Sequence, residues 1–336
     1  MNKVGIQLNN GNLPGILLTA IIAFIAYHIG ELYPLVGGAV TAIILGFLVS
    51  NFLGVPVIYE KGINFTLKKL LKLAIIILGF SMSFTTIVDV GFDSIIIVLI
   101  SVILGLFLTY WIARLFKLTG DLPILVGVGT AICGATAIAT VSSILKAKEE
   151  DFVYAVNTIF AFNVLAVMAY PFIGHLAGLS DEVLGIWAGA AIHDTSSVVA
   201  AGYAYSDEAG STAVVVKLLR TLTLIPVALL LAFFTSYREK GKGKESTVKI
   251  WSIFPYFIFL FVGAALINTF LPLPEIVTET TSDIAKFMII MVMASVGLKA
   301  NFGKLKSIGF RPFIVGLLSS VIIGVVSITL VLMLAG

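Results

Sequence analysis

Apolar residues fill this chain in long runs separated by short polar turns. A helix needs roughly 20 apolar residues to cross the hydrocarbon core of a bilayer. On that criterion eleven hydrophobic segments are read, at about 12–30, 34–53, 67–88, 92–116, 122–145, 152–178, 183–205, 211–236, 250–271, 284–301 and 309–335. The pattern predicts an all-α polytopic membrane protein, one integral membrane domain over residues 1–336. The first run, Leu13 to Ile29, follows Lys3 with no small-residue cleavage site at signal-peptide distance, so it is expected to be the first span.

Two segments break the apolar pattern. Segment five, "LVGVGTAICGATAIATVSSIL", holds almost no large side chain between Gly127 and Thr140. Thr130, Cys133 and Thr140 share one helical stripe there, with Thr136 close by, and Gly127, Gly129 and Gly134 allow close packing or unwinding. It reads either as a small-residue packing interface or as a broken helix whose amides and hydroxyls face a ligand. Segment seven, "GAAIHDTSSVVAAG", carries His193, Asp194, Thr195, Ser196 and Ser197 in succession. A regular helix cannot turn five successive side chains to one face, and irregular backbone at membrane depth is tolerated only inside protein or beside a watery cavity. An unpaired mid-membrane Asp costs roughly 2.5–3.5 kcal/mol on insertion scales. His193 and Asp194 are therefore candidates for proton or ion coupling, and Ser196 and Ser197 for solute contact.

Lys217 and Arg220 lie on one face of segment eight at an i, i+3 spacing. They read as an anion clamp, since an Arg fork and a Lys point charge suit oxyanions, or as snorkelling partners of Asp207 and Glu208. On the clamp reading, Lys217→Ala and Arg220→Ala abolish anion flux and leave folding intact. Asn157 and Asn163 in segment six are secondary candidates, otherwise interhelical glue.

Composition supports the membrane reading. The 336 residues are 59% hydrophobic and 12% charged, where soluble domains carry about 25% charged residues. The single cysteine, Cys133, excludes an intrachain disulfide. No Gly-x-Ser-x-Gly elbow or His-Glu-x-x-His motif is present, and His193, Asp194 and Ser196 are too close in sequence for a triad on one regular helix, so enzyme chemistry is not expected. No metal, cofactor or nucleic-acid partner is expected either.

Basic residues mark the cytoplasmic side. They gather at Lys61, Lys68 and Lys69, at Arg114 and Lys117, at Arg238, Lys240, Lys242, Lys244 and Lys249, and at Lys299, Lys304, Lys306 and Arg311. Acidic residues gather on alternate loops, at Asp89 and Asp93, Asp207 and Glu208, Glu275 and Glu279. Eleven crossings with a cytoplasmic N-terminus reproduce this alternation except at "KAKEED" and "SDEV". Those two loops fit if segments five and seven dip in and return. Lys286 is expected to snorkel.

Two internal echoes suggest inverted repeats, the usual architecture of secondary transporters. Gly79, Phe84, Gly91, Phe92 and Ser101 fall opposite Gly297, Phe302, Gly309, Phe310 and Ser319. Gly129, Ala131 and Ile132 fall opposite Gly189, Ala191 and Ile192. The repeats would cover about 67–145 and 183–335.

"LKLAIIILGFSMSF", "GTAICGATAIA", "GAAIHDTSSVVAAG" and "VVKLLR" followed by "IP" resemble, in this order and over nearly the whole chain, the YeiH-like family of prokaryotic membrane proteins, often labelled sulfate exporters. The resemblance extends to a clan of bile-acid–sodium symporter-like carriers and cation–proton antiporters. It implies panel and core domains, inverted repeats, two discontinuous helices crossing near the midplane, and a homodimer. Ile132 and Cys133 stand where the bile-acid carriers have Ser-Asn, and Ser197 where an amide is common in the family. The expected function is alternating-access export of a small anion, sulfate or another sulfur oxyanion, in the prokaryotic cytoplasmic membrane. Thr130, Cys133, Gly134, Thr136, Ser196, Ser197, Lys217 and Arg220 would form the site, and His193 and Asp194 would couple H⁺ or Na⁺. The alternatives are a cation–proton antiporter using Asp194 and a passive anion channel.

Overall fold

A computed structural model describes residues 11–32, 37–240, 255–271, 273–300 and 310–334. Lys3, Lys242, Lys244, Lys249, Lys304, Lys306, Phe302 and Gly309 lie outside the described residues, as do the side chains of Arg238 and Lys240. Every regular element described is helical. These are α1 (Leu13–Leu32), α2 (Gly37–Leu48), α3 (Val57–Phe65), α4 (Leu71–Leu78), α5 (Phe84–Leu115), α6 (Leu122–Val128), α7 (Ala135–Leu145), α8 (Glu149–Ala177), α9 (Asp181–Ala191) and α10 (Thr195–Tyr205). There follow α11 (Asp207–Leu222), α12 (Leu224–Lys240), α13 (Tyr256–Phe270), α14 (Glu275–Lys299) and α15 (Phe310–Leu334). Wider π turns extend α2 through Val49–Leu53, join α3 to α4 through Thr66–Leu70, and extend α6 through Gly129–Cys133.

Six spans are long and apolar enough to cross a membrane: α1, α5, α8, Asp207–Tyr237 (α11 running into α12), α14 and α15. Outward-facing side chains such as Leu17, Phe24, Ile103, Phe107, Leu230 and Phe233 are exposed and apolar, as a lipid-facing surface requires.

The helices pack as two groups. In the first, α1 to α4, α13 and α14 share an apolar cluster that includes Ile22, Ala42, Ile75, Phe261 and Val292. α2 packs closely on α14, where a Cβ on Gly46 would stand 2.5 Å from the Ala294 carbonyl and one on Gly297 would stand 2.2 Å from that of Ile43. Only glycine permits such backbone approach. In the second, α5, α6, α7, α9 and α15 share a cluster that includes Ile97, Leu125, Ile138, Ile186 and Val315. Val199 and Ala200 of α10 and Val214 and Leu218 of α11 join the groups, since they pack into the first cluster. Of the echoed residues, Gly79 abuts Phe261 of α13 while Gly297 abuts α2.

Segments five and seven are helical hairpins, not helices that cross the bilayer past one another as expected. The loop before α6 and the start of α8 adjoin, since a Cβ on Gly120 would lie 3.0 Å from Asp151 Oδ2. The chain thus enters at that end of α8, turns at Gly134, and returns to the same end. Within this hairpin, a Cβ on Gly129 would lie 2.7 Å from the Ile138 side chain, a contact that two collinear half-helices could not make. At the other end of α8, Tyr205 at the close of α10 donates its hydroxyl proton to the Leu179 carbonyl just before α9. Tyr205 also stacks on His175 with ring centroids 4.2 Å apart. The α9–α10 hairpin therefore enters and leaves at the opposite end. α8 has 29 residues, about 44 Å at 1.5 Å per residue, and the tips meet beside Asn163, its central residue.

These returns re-sort the loop charges. Arg114, Lys117, Lys146 and Lys148 stand at one end of the bundle with Lys299, while Asp181, Glu182, Asp207 and Glu208 stand at the other with Glu275. The lysines of "KAKEED" and the acids of "SDEV" then fall on the expected ends, because each hairpin adds no net crossing, while Glu149, Glu150 and Asp151 remain at the basic end.

Candidate functional site

The first hairpin turns at Gly134 (φ 62°, ψ −131°), a conformation open essentially only to glycine. Ile192 and Asp194 turn the second through extended backbone. Asp194 is the N-cap of α10 and accepts hydrogen bonds from the Ser196 amide (3.1 Å) and the Ser196 hydroxyl. The Asp194 amide donates to Asn163 Oδ1 (3.1 Å), which fixes the tip against α8. A Cβ on Gly134 would stand 3.3 Å from Asp194, so the two tips are in contact.

Each hairpin delivers one helix C-terminus and one helix N-terminus to the tips. A helix C-terminus leaves carbonyls without intrahelical partners and carries partial negative charge. Lys217 and Arg220 of α11, both fully buried, answer those carbonyls. Lys217 Nζ donates to Ile132 O (2.8 Å), Ile192 O (2.8 Å) and His193 O (2.6 Å). Arg220 donates through Nε to Ala131 O (2.7 Å), through Nη1 to Ile192 O (3.0 Å) and through Nη2 to Thr130 O (2.7 Å). An ammonium has three donors, and all three of Lys217 are spent on backbone. The pair expected to clamp a solute is directed instead at the ends of α6 and α9.

His193 is also tied on both sides. Its Nδ1 lies 2.9 Å from Thr130 O and its Nε2 lies 2.7 Å from Ser320 Oγ on α15. Thr130 O can only accept, so Nδ1 carries a proton, and the imidazole joins both hairpins to α15. Trp187 of α9 makes a parallel tie, donating Nε1–H to Gly324 O at 2.8 Å.

The helix N-termini face the other way. The N-cap of α7 is Gly134, which has no side chain to cap it; the Ala137 amide meets the Cys133 thiol, and the amides of Ala135 and Thr136 have no intrahelical acceptor. Ala135 and Thr136 are exposed, Asp194 and Thr195 are partly so, and Ala139 and Ser143 continue the exposed face of α7 toward the basic end. That face carries only small side chains, Thr136 and Ser143 bearing hydroxyls, unlike the Leu, Ile and Phe of the lipid-facing surface. Toward the acidic end, residues 196–202 of α10 are buried.

The structure thus gathers Thr130, Cys133, Gly134, Thr136, His193, Asp194, Ser196, Lys217, Arg220 and Asn163 around the tips. Thr130 contributes its carbonyl, its hydroxyl being bonded to Val126 O at 2.7 Å. Cys133 and Ser197 are buried. Asn157 stands apart, in a hollow of about 400 Å³ at the basic end with Glu149, Glu150, Val153 and Tyr154. Sequence reasoning missed Ser320. Its only signal is the Ser319-Ser320 pair within apolar α15, ordinary for a spanning helix.

Fold and site define an integral, all-helical membrane protein built around two tip-to-tip hairpins. The chain matches the family described as Conserved hypothetical protein 698 over residues 14–316. It is 38% identical over 326 residues to a UPF0324 membrane protein of Clostridium tetani, covering 93% of this chain and 94% of the relative. It is 35% identical over 326 residues to UPF0324 membrane protein SAG1125 of Streptococcus agalactiae, covering 95% and 96%. A UPF0324 membrane protein of Streptococcus mutans is 36% identical over 325 residues, covering 94% and 95%. The chain belongs to this family, the YeiH-like UPF0324 membrane proteins.

Proposed function

We propose that the protein is a secondary carrier of a small anion, with sulfate and other sulfur oxyanions as the first class to test. The open N-terminus of α7 beside Asp194 carries this reading. Free amides at a helix N-terminus favour a negative group, and Thr136 adds a hydroxyl there. The Asp194 carboxylate repels an anion at the same point. An anion and a bare carboxylate therefore exclude each other, while a protonated or Na⁺-paired Asp194 admits the anion. Flux is thereby linked to H⁺ or Na⁺.

On this reading Lys217, Arg220 and His193 build the hairpin tips, and Asp194 does the coupling. The two helix groups act as panel and core, and the hairpins, entering from opposite ends with Gly129–Ile132 and Gly189–Ile192 just before their tips, are the remnant of an inverted repeat. The basic end faces the cytoplasm of a prokaryotic cell by the positive-inside rule, which puts the N-terminus there also.

The test is oxyanion uptake into proteoliposomes under imposed pH and Na⁺ gradients, in the parent and in Asp194→Asn. Asn caps a helix about as well as Asp, so stability should hold. Saturable parent flux driven by a gradient, with gradient dependence lost in Asp194→Asn, is the expected result. Non-saturating flux in the parent would point to a passive pore. A second reading, cation–proton antiport, draws on Asp194 being the carboxylate at the tips. Na⁺-driven proton movement that ignores added oxyanions would select it.

A further inference from the structure

Beyond the solute site, and resting on the carrier reading, the acidic end holds a second polar region. A cavity of about 340 Å³ lies there, lined by Ser81, Ser83 and Thr86 of the α4–α5 junction, Glu208 and Ser211 of α11, and Ser282 of α14. Across it Lys286 Nζ of α14 meets Asp207 Oδ2 of α11 at 2.7 Å. Lys286 belongs to the first helix group, and Asp207 opens α11, whose Ala209 and Val216 sit in the second cluster while Val214 and Leu218 sit in the first, so the pair lies at the seam between the groups.

The two ends of the seam are in different states. Toward the basic end Thr136, Ala139 and Ser143 of α7, running from the tips, are exposed. Toward the acidic end Val199, Ala200 and Ala204 of α10 are buried in the apolar cluster of the first group. The pair lies over that covered side, and Lys286 shares its cavity with Asp207 and Glu208. We propose that the Lys286–Asp207 ion pair is a latch that holds the acidic end shut and keeps the protein open toward the basic end. Its side chains are 31% and 73% exposed. Ion pairs this accessible are weak and screened by salt, which suits a contact that must open in every cycle. A strong buried pair would instead trap one state.

Cysteine accessibility tests the latch without knowledge of the solute. In a Cys133→Ala background, Ala200→Cys reports opening of the acidic end, with Ala204→Cys as a second reporter should the first fail to fold. Thr136→Cys reports the basic end. A membrane-impermeant maleimide is applied from each side of the vesicle in turn. Lys286→Gln and Asp207→Asn should each speed acidic-side labelling of the α10 reporter about two- to fivefold, the range a weak exposed pair allows. The charge swap Asp207→Lys with Lys286→Asp should return the rate to the parent value. High salt should speed labelling of the parent and leave Lys286→Gln unchanged. Unchanged labelling in both single variants, a swap as fast as the singles, or no response of the parent to salt would overturn the latch. Oxyanion flux in the same variants separates the two ideas. Intact flux with unchanged labelling rejects the latch alone, and altered labelling in a protein that carries no solute rejects the carrier reading alone.

Discussion

Replacing Lys217 by Met separates a structural cation from a solute-binding one. Methionine keeps the unbranched stem and removes three donors. Ile192 O retains Arg220 Nη1, but Ile132 O and His193 O lose the ammonium bonds that hold them. A buried carbonyl left unpaired costs about 1–3 kcal/mol, so two cost about 2–6 kcal/mol. Against this, Met no longer has to desolvate an ammonium, a penalty of several kcal/mol that is only partly recovered by the bonds made. The net loss falls toward the lower part of the range, about 2–3 kcal/mol, or roughly 3–4 °C in the unfolding midpoint for a chain of this length. The assay is thermal unfolding of the detergent-purified protein without solute, followed by digestion with thermolysin, which cuts before apolar residues such as Ile132 and Ile192 in the α6–α7 and α9–α10 connections. Lys217→Met should melt earlier and be cut faster at the hairpins. A variant with parental stability and parental proteolysis that has lost oxyanion flux would refute the capping account and restore the clamp.

Two further substitutions probe the tips. Gly134→Ala forces an L-residue into φ 62°, ψ −131° and sets a methyl 3.3 Å from Asp194, so it should cost about 1–3 kcal/mol of stability and abolish flux. Parental thermal stability and flux would show that the turn is not constrained. Ser320→Ala removes the partner of His193 Nε2 and should lower stability by about 1–2 kcal/mol, with the pH profile of flux unmoved. A shifted profile would mean that His193, and not Asp194 alone, takes part in coupling.

The polar run from His193 to Ser197 and the small-residue run from Gly127 to Thr140 were visible as breaks because regular helix in lipid cannot satisfy them. The misplaced lysines of "KAKEED" and acids of "SDEV" already carried the topology: two returns put them on the correct ends. What stayed hidden was the direction of hydrogen bonds. Sequence supplies the identity of Lys217 and Arg220 but not the five carbonyls they meet, which belong to two other hairpins. It gives no reason to choose Ser320 over its neighbour Ser319, because a hydroxyl bonded to its own helix looks the same in a string of letters as one that also meets His193.

The sequence by itself determined membrane residence, helical class, the location of two interruptions and the residue types available at them. Those follow from local quantities: run length, the cost of charge in hydrocarbon, and the freedom of glycine. The tertiary structure alone decided that the interruptions are turns of opposed hairpins, that the cations cap their C-termini, and that an uncapped N-terminus is left beside Asp194. Those depend on which helix ends converge in space, and the partial charge of a helix end acts only on what is brought within its last turn.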